Sequence, residues 1–361
     1  MPRHEDHQLN RRQFLRSSAL AGGVLLTGGL LEACSSGPSA SNTTGSTGSS
    51  KGSSSSVGKG KTIGLAVNGN VPYTQYVATG VKEALKGTQY QLTITQADFN
   101  VETQLNNIES MLSTGIAGLV ILAVSDAAAN QGAAKAAAQG IPVANTLWPG
   151  ANYPGQSAAD KDYCTVAYVD SFKGGQLIGD YLKAHAKPGP TVVVQGIVGQ
   201  GFSEVIDQGL NASLAGSGFD IVVRQQGFFS RTTAISVVQS ALAAHPDVTT
   251  IVDYAAAMGD GIASYLQSKG ITHITHVTSD GDLEMVHKWL GTPYLAADRY
   301  YSAAQTGLVA AMGLRQKLET GSTSPFVRDC FQGIATRANI GSFEAAHPLV
   351  YQQYLSQVAS L

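Results

Sequence analysis

Cysteine is scarce in this chain, at three among 361 residues, and so is tryptophan, at two. Three thiols allow at most one disulfide. Charged residues make up only 13% and nearly cancel at a net charge of −2. No run of Lys or Arg forms a stripe that could follow a phosphate backbone, so nucleic acid is not an expected partner. The longest apolar stretch near the amino terminus, Ser17 to Leu31, is about 15 weakly apolar residues, short of the roughly 20 that cross a bilayer. The first strand-to-helix loop lacks the Gly-x-Gly-x-x-Gly pattern, which argues against a nicotinamide or flavin enzyme. His273 and His276 lie three apart on a strand and so on opposite faces, a poor metal-ligand geometry. Neither a metal nor any other cofactor is expected, and no Ser, His and Asp arrangement announces a nucleophile.

What is present is a repetition. Gly80, Leu85, Leu92, Phe99 and Ile121 find counterparts at Gly209, Leu214, Ile221, Phe228 and Ile251. The offset is 129 residues up to Phe99 and 130 at Ile121, a slip that one inserted loop residue would produce. Each copy reads as the end of a helix, an alternating strand, a turn, an amphipathic helix and a second buried strand, the pattern of units that build parallel sheets. The fold class is therefore α/β, with two similar doubly wound parallel-sheet lobes. Open sheets of this kind bind ligands outside the carboxyl ends of their strands, so facing copies form a cleft with two walls.

The first segment is an address. Arg11-Arg12-Gln13-Phe14-Leu15 ahead of the mild apolar run resembles a twin-arginine export signal. Leu31-Glu32-Ala33-Cys34 resembles a bacterial lipobox, in which the chain is cut before Cys34 and the thiol takes a lipid. Glu32 is an unusual residue in that pattern. From Ser35 to Lys61 the chain is almost wholly Ser, Gly, Thr and Lys, too polar to pack, and as a flexible tether its 27 residues span roughly 30 Å. With Cys34 assigned to lipid, Cys164 and Cys330 either pair or remain two separate buried thiols.

Strands are expected at Thr62 to Val67, Leu92 to Gln96, Gly118 to Leu122, Pro142 to Asn145 and Cys164 to Val169. In the second copy they fall at Thr191 to Gln195, Ile221 to Gln225, Thr250 to Tyr254, His276 to Thr278 and Leu295 to Asp298. Lobe crossings are placed at Asp170, at Tyr300-Tyr301-Ser302 and near Phe326 to Cys330, and a last helix at Phe343 to Val358. The boundaries are residues 1–33 for the signal, 34–61 for the tether, 62–169 with 302–327 for lobe I, and 170–301 with 328–361 for lobe II.

Several phrases are together specific: Pro72-Tyr73 after the first strand, Gly140-Ile141-Pro142-Val143, Gln195-Gly196-Ile197-Val198-Gly199, Ala243-Ala244-His245-Pro246-Asp247-Val248 and Ser279-Asp280-Gly281. On these residues Lys61 to about Thr336 resembles the periplasmic sugar-binding proteins of bacterial ABC importers, the ribose-binding-like group with the type I periplasmic-binding fold and a three-segment hinge. The resemblance implies an exported binding protein rather than an enzyme. It would be lipid-anchored to the outer face of the cell membrane or periplasmic, monomeric, and a partner of ABC permease subunits. A ligand-sensing partner of a chemoreceptor or kinase, or a periplasmic hydrolase, stays open as an alternative. Its ligand would be a sugar or polyol, with an inositol or nucleoside within range.

Tyr73 falls where the group stacks a ring on the sugar, Phe229 on an equivalent ring from the second lobe, and Asp280 on its hydroxyl-accepting aspartate. The departures are as informative. Leu147 and Trp148 stand where ribose binders have Asp and Arg, Glu204 where they have Arg, Ala255 where they have Asn, and Tyr301 where they have Gln. Trp148, Glu204, Tyr254 and Tyr301 join the candidate contacts, with Asn70 and Asn145 as polar residues at strand ends. The grip is more aromatic and less polar.

Overall fold

A computed structural model describes residues 60–146, 161–322 and 326–346. The chain begins with β1 (Thr62–Val67), α1 (Pro72–Leu85), β2 (Gln91–Gln96), α2 (Val101–Ser113), β3 (Gly118–Ile121), α3 (Asp126–Ala138), β4 (Val143–Asn145) and β5 (Thr165–Tyr168). It continues through α4 (Ser171–His185), β6 (Pro190–Gln195), α5 (Phe202–Leu214), β7 (Asp220–Gln226), α6 (Arg231–Ala244), β8 (Thr250–Asp253), α7 (Ala256–Lys269), β9 (Thr275–Ser279), α8 (Leu283–Trp289) and β10 (Ala297–Tyr301). It closes with α9 (Ala303–Thr320), β11 (Val327–Asp329), β12 (Gln332–Ala335) and α10 (Ile340–Ala346).

The strands form two six-stranded sheets of matching order, β11-β5-β4-β3-β1-β2 and β12-β10-β9-β8-β6-β7. All pairs are parallel except β10 with β12. The α/β class and the paired parallel-sheet lobes are thus as the sequence suggested. Central strands bury both faces, as β1 does with Ile63, Leu65 and Val67 on one side and Gly64 and Ala66 on the other, which is why they read as unbroken apolar runs. The edge strands β2 and β7 alternate instead. Each such buried aliphatic side chain contributes about 1.5–3 kcal/mol relative to its exposed state. In both sheets the order reverses beside the first strand, between β1 and β3 and between β6 and β8, which opens a crevice at the carboxyl ends.

The repeated glycine has a packing cause. A Cβ on Gly80 of α1 would lie 1.9 Å from the Ala304 carbonyl oxygen of α9, and one on Gly209 of α5 would lie 1.9 Å from the Phe172 carbonyl oxygen of α4. Both lobes therefore seat one helix directly on the backbone of another. The one-residue slip is a bulge in β7, where Thr191 pairs with Ile221 but Val192 with Val223. Past the bulge the correct equivalence is Phe99 with Phe229, and Asp98 with Phe228.

The chain passes between sheets three times: from β5 to α4 at Asp170, from β10 to α9 at Ser302, and from β11 to β12 through Cys330 and Phe331. Asp170 caps α4 by accepting from Lys173 N at 2.8 Å, and Ser302 caps α9 by accepting from Gln305 N at 3.1 Å. One network ties the crossings together. Arg299 Nε and Nη2 donate to Gln332 Oε1 at 3.0 and 2.7 Å, and Gln332 Nε2 donates to the Asp170 carbonyl at 2.8 Å.

Three expectations need correction. The strand expected at Leu295 to Asp298 is β10 at Ala297–Tyr301, so Tyr300 and Tyr301 belong to the sheet and not to a crossing. Their antiparallel partner β12, with Tyr301 facing Gln332, holds them there. Most of Phe326 to Cys330 is β11, paired with β5, rather than connection. The last helix starts earlier, at Ile340, and its expected continuation to Val358 lies outside the described residues. No disulfide joins Cys164, which is half-buried, to the buried Cys330. They flank opposite ends of the β5 and β11 pair, whose register matches Val166 with Val327.

Candidate functional site

Loops leaving the strands of both sheets enclose one cleft, lined from lobe I by Asn68, Tyr73, Tyr76 and Phe99 and from lobe II by Gln200, Phe202, Phe229, Asp280 and Tyr301. Counted out to its open mouth, it contains about 840 Å³ of space. Two aromatic pairs bridge the lobes. Phe99 and Phe229 face each other with centroids 5.6 Å apart at 32°, and Tyr73 and Tyr301 lie 6.0 Å apart at 60°. Both are within the range where ring pairs attract.

The phenylalanines reach the cleft through an unusual backbone, copied in both lobes. Asp98 and Phe99 have φ of 47° and 58°, and Phe228 and Phe229 have φ of 57° and 54°, although none is glycine. Side chains seldom adopt the left-handed region, and strain there concentrates at functional positions. Each double turn ends on a helix cap, Asn100 accepting from Thr103 N and Ser230 from Thr233 N. The rings press on glycines, Phe99 on Gly69 and Phe229 on Gly196, where a Cβ would overlap them.

Asp280 supplies the charge. It follows β9 with φ of 101°, and its own N–H donates to the Arg299 carbonyl at 3.2 Å. Its carboxylate accepts from the Tyr301 hydroxyl at 2.8 Å and from the Ala256 N–H at the start of α7. Burial pushes its pKa from 3.8 up to about 7, against the opposing pull of the Tyr301 hydrogen bond and the Arg299 charge. The Arg299 guanidinium lies over the Tyr301 ring, 4.5 Å from its centroid. Burial, and next the charge of Asp280, raise the Tyr73 hydroxyl well above its usual range. Among the cleft-lining side chains, the buried polar atoms without a hydrogen-bond partner include Nε2 of Gln200, a residue only 7% exposed, and Oδ1 of Asn68.

Four of the residues singled out in the sequence, Tyr73, Phe229, Asp280 and Tyr301, line this cleft together. The others stand elsewhere. Tyr254 is fully buried beneath the cleft, its hydroxyl donating to Asp207, which Gln195 and Arg224 also contact. Glu204 turns back to accept from the Gly199 N–H and so pins its own loop. Asn145 is buried at the end of β4, and Asn70 is exposed in the loop before α1. Trp148 and Cys34 lie outside the described residues. Asn68, Phe99, Gln200 and Asp282 were missed. Phe99 was detectable as the repeat partner of Phe229, had the bulge been visible.

His276 has no capacity left for a ligand. Its Nε2 meets Asp253 Oδ2 and its Nδ1 the Tyr294 carbonyl, each at 2.8 Å. Asp253 also accepts from Thr278 Oγ1 at 2.8 Å and from the Ala255 N–H at 3.1 Å, which fixes the turn that carries Ala255 and Ala256 into the cleft.

Two lobes, three crossings and a cleft at the strand ends are matched by comparison with known proteins. The family described as periplasmic binding protein domain matches residues 63–321. The chain belongs to that family. The ribose import binding protein RbsB of Salmonella typhimurium is 29% identical over 224 residues, 61% of this chain and 72% of the relative. Its Escherichia coli counterpart is 26% identical over 222 residues, with the same two shares. This bears out the resemblance to the ribose-binding-like group. Among solved structures, the periplasmic component of the arabinose ABC transporter from Shewanella superposes with a TM-score of 0.71 at 19% identity, covering 83% of this chain and 97% of that one. A Caulobacter myo-inositol binding protein superposes at 0.69 with 16% identity, covering 78% and 95%. These two likenesses establish the fold alone.

Proposed function

We propose that this chain is the extracytoplasmic solute-binding component of an ABC-type importer and holds one sugar or sugar-like molecule between its lobes. The observation that carries the reading is the cleft itself, where aromatic rings from both lobes meet beside a buried carboxylate. Sugars present apolar C–H faces and hydroxyl rims, which suit stacking rings and a hydroxyl-accepting acid. Only contacts made to both walls favour closure, and Tyr73 and Phe99 on one side with Phe229, Asp280 and Tyr301 on the other satisfy that condition. Membership of the family and the import role in the relatives' names support the same assignment. The twin-arginine-like start and Cys34 fit export and lipid anchoring, and the tether would let the lobes reach a permease in the membrane. Trp148 is kept as a contact from the segment that follows β4.

A thermal-shift screen of pentoses, hexoses, inositols and nucleosides tests the assignment. A stabilising hit should compact the protein in small-angle scattering and lose roughly 10- to 100-fold in affinity in Asp280→Asn. A screen without hits, turnover of the hit, or an Asp280→Asn variant that binds as tightly as wild type would reject it. Fractionation of a Cys34→Ala variant tests the anchor, and unchanged membrane recovery would refute lipidation.

A further inference from the structure

The cleft is unusual in its charge. Among the described residues, none that lines it is Lys, Arg or His, and two are acids, Asp280 and Asp282. Asp282 is engaged as the cap of α8, accepting from Met285 N at 3.2 Å. The nearest guanidinium, Arg299, is committed to Gln332 and covered by the Tyr301 ring. Above about pH 7, where Asp280 is ionised, an anionic ligand would meet its carboxylate at short range in a partly dry site with no lining cation to offset it.

The polarity is also uneven. One end holds the Phe99 and Phe229 rings with Phe202 nearby. The other holds the Tyr73 and Tyr301 pair with the Asp280 carboxylate. A bare pentose has hydroxyls around its whole rim and would leave several of them against phenyl rings, unpaired. The unpartnered Gln200 Nε2 and Asn68 Oδ1 add one donor and one acceptor from facing lobes, enough for a short polar edge.

We propose that the cleft selects an uncharged glycoside that carries a flat apolar ring, a nucleoside or an aryl glycoside, and rejects its phosphorylated or carboxylated counterparts. The ring stacks at Phe99 and Phe229 with Asn68 and Gln200 on the adjoining loops to meet its polar edge, while the sugar end meets Asp280 and Tyr301. This deepens the solute-binding assignment and rests on it.

Calorimetry on the purified protein with matched probes tests it: adenosine and uridine against their 5′-monophosphates and against D-ribose, and phenyl β-D-glucoside against methyl β-D-glucoside and glucuronic acid. The ring-bearing neutral member of a series should bind at least tenfold more tightly than the bare sugar and on the order of 100-fold more tightly than the anion. Phe229→Ala should erase the preference for the ring while leaving the discrimination against anions. A monophosphate or glucuronic acid that binds as well as its neutral partner overturns the charge argument, and D-ribose binding more tightly than both nucleosides overturns the ring argument. Either result leaves the solute-binding assignment standing. Binding by none of these probes rejects the ring-bearing ligand, and the wider screen of sugars and inositols decides the solute-binding assignment separately.

Discussion

The bond from Tyr301 to Asp280 gives the sharpest test of the site's electrostatics. Removing the hydroxyl in Tyr301→Phe keeps the ring against Tyr73 and under Arg299, and deletes the 2.8 Å donor to the carboxylate. A hydrogen bond to a charged acceptor contributes about 1.5–3 kcal/mol and a neutral one about 0.5–1.5. The ionised form of Asp280 therefore loses more than the protonated form, by about 1 to 1.5 kcal/mol. At 1.36 kcal/mol per pH unit, the Asp280 titration should move about one unit higher than its value of about 7. The neighbours that remain are Arg299 and the Ala256 N–H, which favour the anion, and Asp253 and Asp298, which oppose it.

The sign for stability follows from linkage. Asp280 holds its proton in the folded protein up to about pH 7, whereas the unfolded chain has released it by about pH 4, so its contribution to stability declines as pH rises through that window. In Tyr301→Phe the decline extends to higher pH, and the variant's deficit relative to wild type should grow between about pH 5 and about pH 9. Carboxyl-carbon NMR of Asp-labelled protein, with Asp280→Asn to assign the resonance, reads the titration directly. An Asp280 resonance that titrates at the same pH or lower in Tyr301→Phe would refute the argument, as would a deficit independent of pH.

Gly80→Val and Gly209→Val should each destabilise by about 2 kcal/mol or more, because the added carbons meet helix backbone that cannot yield; a loss below about 0.5 kcal/mol in urea unfolding would contradict the close contacts. Gln332→Ala should cost about 3 kcal/mol by stranding the buried Arg299 guanidinium, and unfolding at wild-type denaturant concentration would show that the crossing network holds little. In a Cys34→Ala background, thiol counting in denaturant should find Cys164 and Cys330 both free, and loss of two thiols would mean that a bridge forms.

Much of the fold could be read from periodicity because central strands of a doubly covered sheet are short apolar runs and their helices are amphipathic. What escaped was whatever depended on a distant partner. The last residues of β10 look like a connection until β12, some thirty residues later, pairs with them. Repetition exposed the two lobes, yet the β7 bulge shifted the copies by one residue at the point where the cleft aromatics lie, so Phe99 was matched to Phe228 rather than Phe229.

The same one-residue sensitivity governs the candidate contacts. A residue at the end of a strand faces the cleft or the core according to alternation, and a single step reverses it. Tyr254, one position past β8, goes inward to Asp207, while Asp280, one position past β9, reaches the cleft through a positive φ that also aims its N–H at Arg299. Side-chain chemistry on its own could not separate them, since both are polar residues that follow a buried strand. Glu204 shows the complementary case. Its position on the first turn of α5 lies near the cleft, but one of its carboxylate oxygens accepts from the Gly199 N–H of its own loop. The resemblance to ribose binders pointed to the strand ends that border the cleft, and local hydrogen bonding decided which side chains at those ends were left to line it.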